Sequence, residues 1–378
     1  MASHGEDAQA AVVGADGRGG GHVLLLPYPS QGHVTRCCNA RELLDAEAAA
    51  GRPVRAVVYD AFLPWARGVA QRHGAAAVAF FTQPCAVNVV YGHVWCERVG
   101  VPVEAGSTVV GLPGLPALEP EGLPWFLKVG PGPYPGYFEM VMSQFKGLEL
   151  ADDVLVNSFY ELEPEEAAYM ASAWRAKTIG PTVPASYVCD DRMPSDTNLS
   201  NLDPAEMREV AHGLLDAGRP FLWAVRESEA HKLPASYGDA VAARGGMVVS
   251  WCPQLEVLAH PTVGCFLTHC GWNSTSEALV AGVPMVALPQ WTDQPMNAKY
   301  VEAVWRAGVR VRPAAADGLA RRGEVAGGIE AVMAGERSGE YRRNAAAWAE
   351  KARAASREGG SSDRNIAEFV AKYGSSSN

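Results

Sequence analysis

The sequence predicts an α/β protein built from two doubly wound lobes, and three observations carry that prediction. The chain has 378 residues, 48% of them hydrophobic, which is enough for two cores of ordinary size. Strand-like apolar runs alternate with helix-compatible segments, the pattern of parallel sheets with crossover helices. A polar stretch rich in Pro, Ser and Asp, residues 182–202, separates two such regions and is predicted to be a linker.

The predicted domain organisation follows the changes in composition along the chain. Residues 1–21 are mostly Gly, Ala and polar residues and are expected to form a disordered tail. Their Gly cluster precedes a strand, so it is not a dinucleotide fingerprint. The first lobe is predicted over residues 22–181 and the second over residues 203–360. Residues 361–378 are predicted to form a helix that returns toward the first lobe.

The predicted strands are short apolar runs bounded by turn-forming residues. In the first lobe they are HVLLLPY (22–28), RAVVYD (55–60), AAVAFF (76–81) and DVLVNSF (153–159). In the second lobe they are FLWAV (221–225), GMVVSW (246–251), VGCFLTH (263–269) and PMVALPQ (284–290). The Pro- and Gly-rich stretch 101–138 interrupts the pattern. Its five aromatic residues fit a surface loop and an aromatic lip over a binding cleft equally well.

Composition and charge exclude several classes of function. The net charge of −10 disfavours nucleic acid and anionic lipid as partners, and no apolar run is long enough to span a membrane. Eight cysteines without a C-x-x-C pair favour a reducing compartment, so a cytoplasmic protein is expected. Cys265, His269 and Cys270 are interpreted as the end of a buried strand, and no metal site is predicted.

The run CGWNSTSEALVAGVP, which follows the strand VGCFLTH, holds the densest set of candidate functional residues. A turn at Gly271 leads to a helix with Asn273 and Ser274 at its cap, and Gly282 should end that helix. A helix N-terminus at the carboxyl edge of a parallel sheet offers N–H donors to an anion such as phosphate.

Local spacing leaves two interpretations of this helix open. Ser274 and Glu277 fit a capping box, in which the Glu carboxylate serves the helix and needs no ligand. His269 fits either a donor to a phosphate oxygen or a partner for a loop carbonyl. Spacing alone does not choose between them.

Residues 251–294, from WCPQ to WTDQ, resemble the complete signature box of the plant family 1 UDP-glycosyltransferases, which transfer sugars from UDP-sugars to small acceptors. Other segments resemble that family in the same order: LLPYPSQGHV, VVYDAF, FFTQPC, LVNSFYELEPE, TIGP, FLWAVR and GGSSDRNIAEFV. The similarity is closest to grass enzymes that glucosylate flavonoids and trichothecenes. The resemblance implies a GT-B fold, two Rossmann-like lobes facing a cleft, with the acceptor in the first lobe and the donor in the second.

The resemblance also implies how the box holds the nucleoside of the donor. Trp251 would stack on the uracil, and the backbone of Cys252 would bond the base edge. Gln254 and Glu277 would bind the ribose hydroxyls. A large indole is a suitable planar platform for a base.

The diphosphate and the sugar are assigned by the same resemblance. The diphosphate residues are His269, Gly271, Asn273 and Ser274. The residues that face the sugar are Trp272, Asp293 and Gln294, with Thr82 of the first lobe. For Thr82 a strand-end cap is nearly as good an interpretation, and for Trp251 or Trp272 alone ordinary core packing is. A terminal Gln in the box resembles glucose-using members, so UDP-glucose is the expected co-substrate, without a further cofactor.

The catalytic pair is likewise implied by resemblance. His33 in SQGHV matches the family's general base, and Asp60 in VVYDAF matches the acid that orients it. An inert histidine at a strand-to-loop corner, and an aspartate that caps the next helix, are the structural alternatives.

Two segments of the family pattern are missing, so both lobes are expected to be shortened. After QGHV the apolar helix pattern is replaced by TRCCN, and RELLDAEAAA is expected to serve as the crossover to the next strand of a narrower sheet. Near residues 197–199 the strand that opens the second lobe, with its phosphate-contacting loop, has no counterpart. Its loss would expose the hydrogen-bonding edges of neighbouring strands.

The sequence therefore supports two hypotheses. The first is an inverting, metal-independent glucosyltransferase of plant secondary metabolism or detoxification, acting on hydroxyls of small lipophilic acceptors. The second is an impaired paralogue that retains at most UDP or UDP-sugar binding. A serine hydrolase is excluded because the G-x-S-x-G elbow is missing. The acceptor and the oligomeric state are not encoded in any motif.

Overall fold

The computed structural model describes residues 11–13, 22–28, 33–104, 111–183, 202–313 and 318–374, with only the backbone of 11–13 and 33–39. The chain divides into two compact units. The first comprises the chain up to Leu118, Phe126–Thr182 and the chain from Ala354, and the second comprises Glu119–Trp125 and Val183–Arg353. Most of the predicted linker, and the gap near residues 197–199, lie outside the described residues.

The first unit contains a six-stranded sheet whose strands lie side by side in chain order. They are β1 (Ala11–Val13), β2 (His22–Leu26), β3 (Val54–Asp60), β4 (Ala76–Phe81), β5 (Asp153–Val156) and β6 (Ala176–Thr178). β1 pairs with β2 in the antiparallel sense, and all other neighbours are parallel. The prediction of a parallel sheet is confirmed, whereas β1 shows that the tail predicted to be disordered contains a strand.

Among the described residues up to Thr182, six α-helices accompany these strands. They are α1 (His33–Ala49), α2 (Trp65–Arg72), α3 (Cys85–Trp95), α4 (Trp125–Val129), α5 (Pro135–Ser143) and α6 (Pro164–Trp174). The segment TRCCN, where the family's apolar helix pattern stops, lies within α1, which begins at His33. That segment contains neither Gly nor Pro, and other residues differ in helix propensity by less than about 1 kcal/mol each, so the helix extends across it.

The second unit holds two parallel sheets among its described residues. One pairs β7 (Leu222–Ala224) with β8 (Met247–Val249), and the other has the order β11 (Gly308–Arg310), β10 (Met285–Ala287), β9 (Phe266–Thr268). The helices are α7 (Pro204–Asp216), α8 (Tyr237–Ala242), α9 (Gln254–Ala259), α10 (Trp272–Ala281), α11 (Gln294–Lys299), α12 (Arg322–Met333) and α13 (Ser338–Ser356).

The core of the second unit joins both of its sheets. Trp223 of β7 and Val286 of β10 belong to one cluster of buried side chains, with Val210 of α7 and Val325 of α12. The two helices pack closely, because a Cβ at Gly213 would lie 2.7 Å from the Val325 side chain. The helices therefore hold the two sheets in a single unit.

The last helix, α14 (Ser361–Gly374), belongs to the first unit. Tyr373 Oη donates to Asp153 Oδ2 at 2.5 Å, and Ser362 Oγ donates to the Gly180 carbonyl at 2.6 Å. Tyr373 also packs in the core cluster with Ala56 and Val78. Among the described residues, no helix is both long and apolar enough to cross a membrane.

Candidate functional site

The turn between β9 and α10 places the imidazole of His269 against the start of the helix. A Cβ at residue 271 would lie 2.6 Å from His269 Nε2, so only glycine leaves room for the ring. Cys270 between them has a positive φ of 63°, and its N–H donates to Thr268 Oγ1 at 3.1 Å. Backbone strain of this kind persists where the surroundings hold it, often at ligand sites.

The helix α10 begins two residues earlier than the sequence predicted. Its cap residue is Gly271, which brings no side chain, and the first helical bond runs from Thr275 N to the Gly271 carbonyl at 3.0 Å. Asn273 and Ser274, predicted at the cap, are the second and third helical residues. Their N–H groups precede the first helical bond, so they point from the helix end toward any bound anion.

Burial lowers the pKa of the His269 imidazole to about 4. The ring is therefore neutral at pH 7, with one nitrogen carrying a proton and the other accepting. A neutral imidazole can still donate to a phosphate oxygen, and the positive end of the α10 dipole supplies the attraction for charge.

The capping-box alternative for Ser274 and Glu277 does not apply, because the cap residue of α10 is Gly271 and no side chain caps the helix. Glu277 is the sixth residue of α10, and its Oε2 accepts a hydrogen bond from Gln254 Nε2 at 2.5 Å. Gln254 begins α9, so this bond joins the N-terminus of α9 to the second turn of α10. Both side chains are nearly buried, at 4% exposure for Gln254 and 8% for Glu277, and burial raises the pKa of the Glu277 carboxyl. The pair predicted to bind ribose is thus already brought together.

Asp293 and Gln294 are fixed by bonds within their own loop. Asp293 Oδ1 accepts from Thr292 Oγ1 at 2.8 Å and Oδ2 accepts from Asn297 Nδ2 at 2.7 Å. Gln294 Oε1 accepts from the backbone N–H groups of residues 290 and 291, at 2.9 and 3.1 Å. Burial raises the pKa of the Asp293 carboxyl.

Sequence reasoning missed Asn297, which links the two loops of the site. Besides its bond to Asp293, Asn297 Nδ2 donates to the Cys270 carbonyl at 2.9 Å. The signal was present as the four-residue spacing that puts Asn297 above Asp293 on one helix face. The loop that holds Asp293 and Gln294, which we call the sugar loop after its predicted role, is therefore connected to the turn at Gly271.

The two tryptophans of the box differ in exposure. Trp251, which follows β8, is 55% exposed, so core packing does not explain it. Trp272 is 5% exposed and packs against Trp305, with ring centroids 6.1 Å apart. Cys252 is half-buried beside Trp251. The core-packing alternative holds for Trp272 alone.

In the first unit Asp60 ends β3 and is bonded to the following turn. Its Oδ1 accepts from Phe62 N at 3.0 Å, whereas α2 starts at Trp65 after Pro64, so Asp60 does not cap that helix. Burial raises the pKa of Asp60 to about 6, against the opposing effect of its backbone hydrogen bonds. Because Asp60 pairs in register with Phe80, the half-buried Thr82 follows at the same edge of the sheet.

His33 is the first residue of α1, which follows β2 at that same edge. Its side chain lies outside the described residues. The contact between His33 and Asp60 therefore stays a prediction.

The aromatic residues of the stretch 101–138 divide between core and surface. Phe126 is fully buried, whereas Tyr134 and Tyr137 are 48% and 47% exposed and pack against each other with centroids 6.3 Å apart. Burial raises the pKa of Tyr28, and Tyr137 and Asp60 add to that rise electrostatically. The exposed pair therefore lies near the candidate catalytic edge.

Glu163 is a second buried residue that sequence reasoning missed. It accepts from Cys85 N at 3.0 Å and Ala86 N at 2.8 Å, at the N-terminus of α3. Burial, with the neighbouring Glu166, raises its pKa to about 7. This cap comes from 78 residues away, so no local pattern could reveal it.

A strand, a glycine turn and a helix N-terminus open to an anion are features of nucleotide-binding α/β proteins. Residues 197–344 match the family model for UDP-glucoronosyl and UDP-glucosyl transferases. The chain is 45% identical over 398 residues to UDP-glucosyltransferase UGT13248 of Hordeum vulgare, covering 96% of this chain and 83% of that protein. It is 47% identical over 390 residues to UDP-glycosyltransferase 79 of Oryza sativa, covering 92% and 83%.

The structural comparison gives the same family. The crystal structure of Os79 from O. sativa in complex with UDP matches with a TM-score of 0.82 at 47% identity, over 88% of this chain and 81% of that chain. A further Os79 structure contains U2F and trichothecene. The chain belongs to the UDP-glycosyltransferase family, and it is a glycosyltransferase of GT-B fold, as the sequence predicted.

Proposed function

We propose that this chain transfers glucose from UDP-glucose to a hydroxyl group of a small lipophilic acceptor, with inversion and without a metal. The observation that carries the proposal is the turn at Gly271, where a neutral imidazole and the α10 N-terminus meet. Such a corner suits a diphosphate, which needs N–H donors and a positive field.

The rest of the donor contacts other side chains of the second unit. The uracil stacks on the exposed indole of Trp251, and the ribose hydroxyls bond the pair Gln254 and Glu277. Asp293 and Gln294 take the sugar hydroxyls. A buried, pre-bonded acceptor discriminates strongly, because a sugar epimer would leave it unpaired.

The reaction is a single displacement at the anomeric carbon. His33 takes the proton of the acceptor hydroxyl while that oxygen forms its bond to the carbon and the bond to the phosphate oxygen breaks. Asp60 stabilises the imidazolium, and UDP leaves with the electron pair of the broken bond. Donors from His269 and α10 stabilise the charge on UDP, as oxyanion donors do.

The chemical class of the acceptor is inferred from the exposed side chains of the first unit. The exposed rings Tyr134 and Tyr137 offer flat apolar area to a planar or polycyclic alcohol. A flavonoid or a trichothecene fits that description.

The five described cysteines are all free thiols, which supports a reducing, cytoplasmic location for the reaction.

One observation favours a second candidate, an impaired paralogue that binds UDP without transfer. Among the described residues of the second unit, β7 pairs with β8 and β9 pairs with β10, so the sheet is in two parts. Separate short sheets lose backbone bonds that fix the relative position of their loops. The donor residues after β8 and β9 would then be held less firmly.

Two measurements on the purified chain separate the candidates. Tryptophan fluorescence follows a UDP titration, with Trp251→Leu as the variant that should lose most of the signal. Glucose transfer is assayed in parallel on a panel of flavonols and trichothecenes. Transfer supports the glucosyltransferase, UDP binding without transfer supports the impaired paralogue, and lack of binding contradicts both.

A further inference from the structure

Residues 119–125, which we call the strap, form part of the second unit although the chain on both sides belongs to the first. Gly122, Leu123 and Pro124 are buried, and Pro120–Gly122 form a 3₁₀ turn that packs against α11. That helix begins with Gln294 and follows Asp293. The strap therefore lies against the element that carries the two candidate sugar residues.

Lys299, the last residue of α11, holds the first end of the strap. Its ammonium group bonds the carboxylate of Glu119, and its stem covers Gly122. A Cβ at residue 122 would lie 2.3 Å from Lys299 Cδ, so this stem packs directly on the strap backbone. The Lys299 side chain is only 12% exposed, and burial lowers the pKa of its ammonium.

Arg310, the last residue of β11, holds the middle of the strap. Its Nη1 donates to the Glu121 carbonyl at 3.0 Å. Glu302 lies 3.9 Å from Arg310 Nε and also pairs with Arg312. The arginine is thus oriented by a carboxylate of its own unit.

The far end of the strap bonds the sugar loop itself. Trp125 N donates to the Thr292 carbonyl at 2.7 Å. Thr292 has a positive φ of 52°, which is uncommon for a β-branched residue, and its hydroxyl donates to Asp293 Oδ1 at 2.8 Å. A strained conformation needs external support, and the strap amide supplies one bond of that support.

We propose that the strap positions the sugar-reading carboxylate and amide of the donor site, and so sets selectivity among UDP-sugars while leaving UDP affinity unchanged. This inference rests on the proposed function, since it assigns a purpose to Asp293 and Gln294. Glu119, Lys299 and the Trp125 amide are positioning groups, because they act through the loop. Asn297 bonds the Cys270 carbonyl, but the groups at α9 and α10 are also held by bonds of their own, Gln254 to Glu277 and Cys270 N to Thr268. Loosening the strap should therefore leave the nucleotide groups in place.

The first test removes the Lys299 ammonium and keeps its packing stem. In Lys299→Met the affinity for UDP-glucose, measured by calorimetry, should fall about threefold to tenfold, the usual effect of one lost hydrogen bond or ion pair. The preference over UDP-galactose, the C4 epimer, should fall with it, while UDP binds as before. Lys232→Met is the matched control, since Lys232 pairs with Glu229 elsewhere in the unit. Lys299→Arg should restore the preference.

The second test isolates the amide of Trp125. Trp125→Pro removes the N–H at the first position of α4, where proline fits a helix, and Trp125→Ala removes the indole but keeps the N–H. Hydrogen exchange in residues 291–299 of the free protein should rise in the proline variant relative to the alanine variant. This readout needs neither ligand nor turnover.

The outcomes separate the two proposals. Unchanged exchange in Trp125→Pro, or equal losses of UDP and UDP-glucose affinity in Lys299→Met, would overturn the role of the strap. A parent chain that binds neither ligand overturns the proposed function, and raised exchange in that case still shows that the strap holds the loop.

Discussion

Two strand-to-helix corners, one in each unit, carry a histidine, and the proposed function gives them different tasks. In the second unit β9 leads through His269 and Gly271 into α10, and the ring lies against a helix start without a side-chain cap. In the first unit β2 leads to His33 at the start of α1, and the neighbouring strand β3 ends in Asp60. The corner of the second unit, at His269, presents fixed hydrogen-bond donors. The corner of the first unit, at Asp60, presents a group that can change its charge.

Burial shifts the pKa values at the two corners in opposite directions, because it favours the uncharged form of each group. It lowers the pKa of His269 to about 4, which keeps that ring neutral and unable to compete as a base at pH 7. It raises the pKa of Asp60 to about 6, so this carboxyl changes its charge just below neutral pH. The same desolvation thus favours a binding group in one corner and a titrating group in the other.

The largest effect is expected from a substitution at the corner of the first unit. In His33→Ala, kcat/KM for glucosyl transfer should fall by about 10²- to 10⁴-fold, the usual contribution of a general base. Affinity for UDP should stay unchanged because α10 is untouched. His73→Ala, which removes another histidine of the first unit, is the control. Parent-like transfer by His33→Ala would reject the assigned base.

The next largest effect is expected from a substitution at the corner of the second unit. In Gly271→Ala the new Cβ would displace the His269 ring from the start of α10, so UDP affinity should weaken about 10- to 100-fold, the range for lost bonds to a charged group. Calorimetry gives the dissociation constant. Gly327→Ala in α12 is the matched control, since a Cβ there meets nothing within 4 Å. Equal affinities for the two variants would show that the close approach has no role in binding.

The pH dependence sharpens the contrast between the corners. Protonated Asp60 cannot stabilise an imidazolium, so kcat/KM should fall about tenfold per pH unit below pH 6. UDP affinity should not follow that profile, because His269 stays neutral down to about pH 4. In Asp60→Asn most of the activity should be lost and the remaining profile should decline less steeply, because only protonation of the base His33 then lowers the rate. A parent profile that is flat between pH 7 and 5 would contradict the role of Asp60.

Stability should respond to Asp60 with a defined sign. Its pKa is higher in the folded chain than the ordinary 3.8, so the folded state binds this proton more tightly. The resulting stabilisation is fully present below pH 3.8 and is lost as the pH rises through 6. Asp60→Asn should therefore flatten the free energy of unfolding over that interval, as measured by urea titration.

The smallest expected effect concerns the attachment of α14 to the first unit. Tyr373→Phe removes the hydroxyl that donates to Asp153 and should lower the free energy of unfolding by about 1 kcal/mol. Urea titration measures the loss. Tyr160→Phe, at a tyrosine that is 48% exposed, should change little, and equal effects would show that the Asp153 bond adds nothing.

Prediction from the sequence was most successful where the pattern was local. Apolar runs located eight strands, and Gly282 was correctly placed at the end of α10, where its φ is 73°. The capping box, one of two interpretations left open for Glu277, fails because the carboxylate bonds Gln254, 23 residues away, and a spacing rule sees only neighbours along the chain. Prediction failed at the start of α10, since a glycine cap leaves no side-chain signal.

The strap and the burial of Asp60 lay beyond sequence reasoning for the same reason. Each depends on segments far apart in the chain, as when Trp125 N meets the carbonyl of Thr292. Desolvation of Asp60 is likewise a property of the packed unit rather than of VVYDAF. The resemblance assigned roles to residues, and the structure supplied the bonds that make those roles physically reasonable.

The most direct test of the account is the anomeric configuration of the glucoside that the chain forms. UDP-glucose carries its sugar in the α configuration, so a single displacement with His33 as base must give a β-glucoside. Proton NMR of the product from the best acceptor of the panel decides the point. A β-glucoside, formed by the parent and not by His33→Ala, is the predicted result. An α-glucoside, or equal product from both proteins, would contradict it.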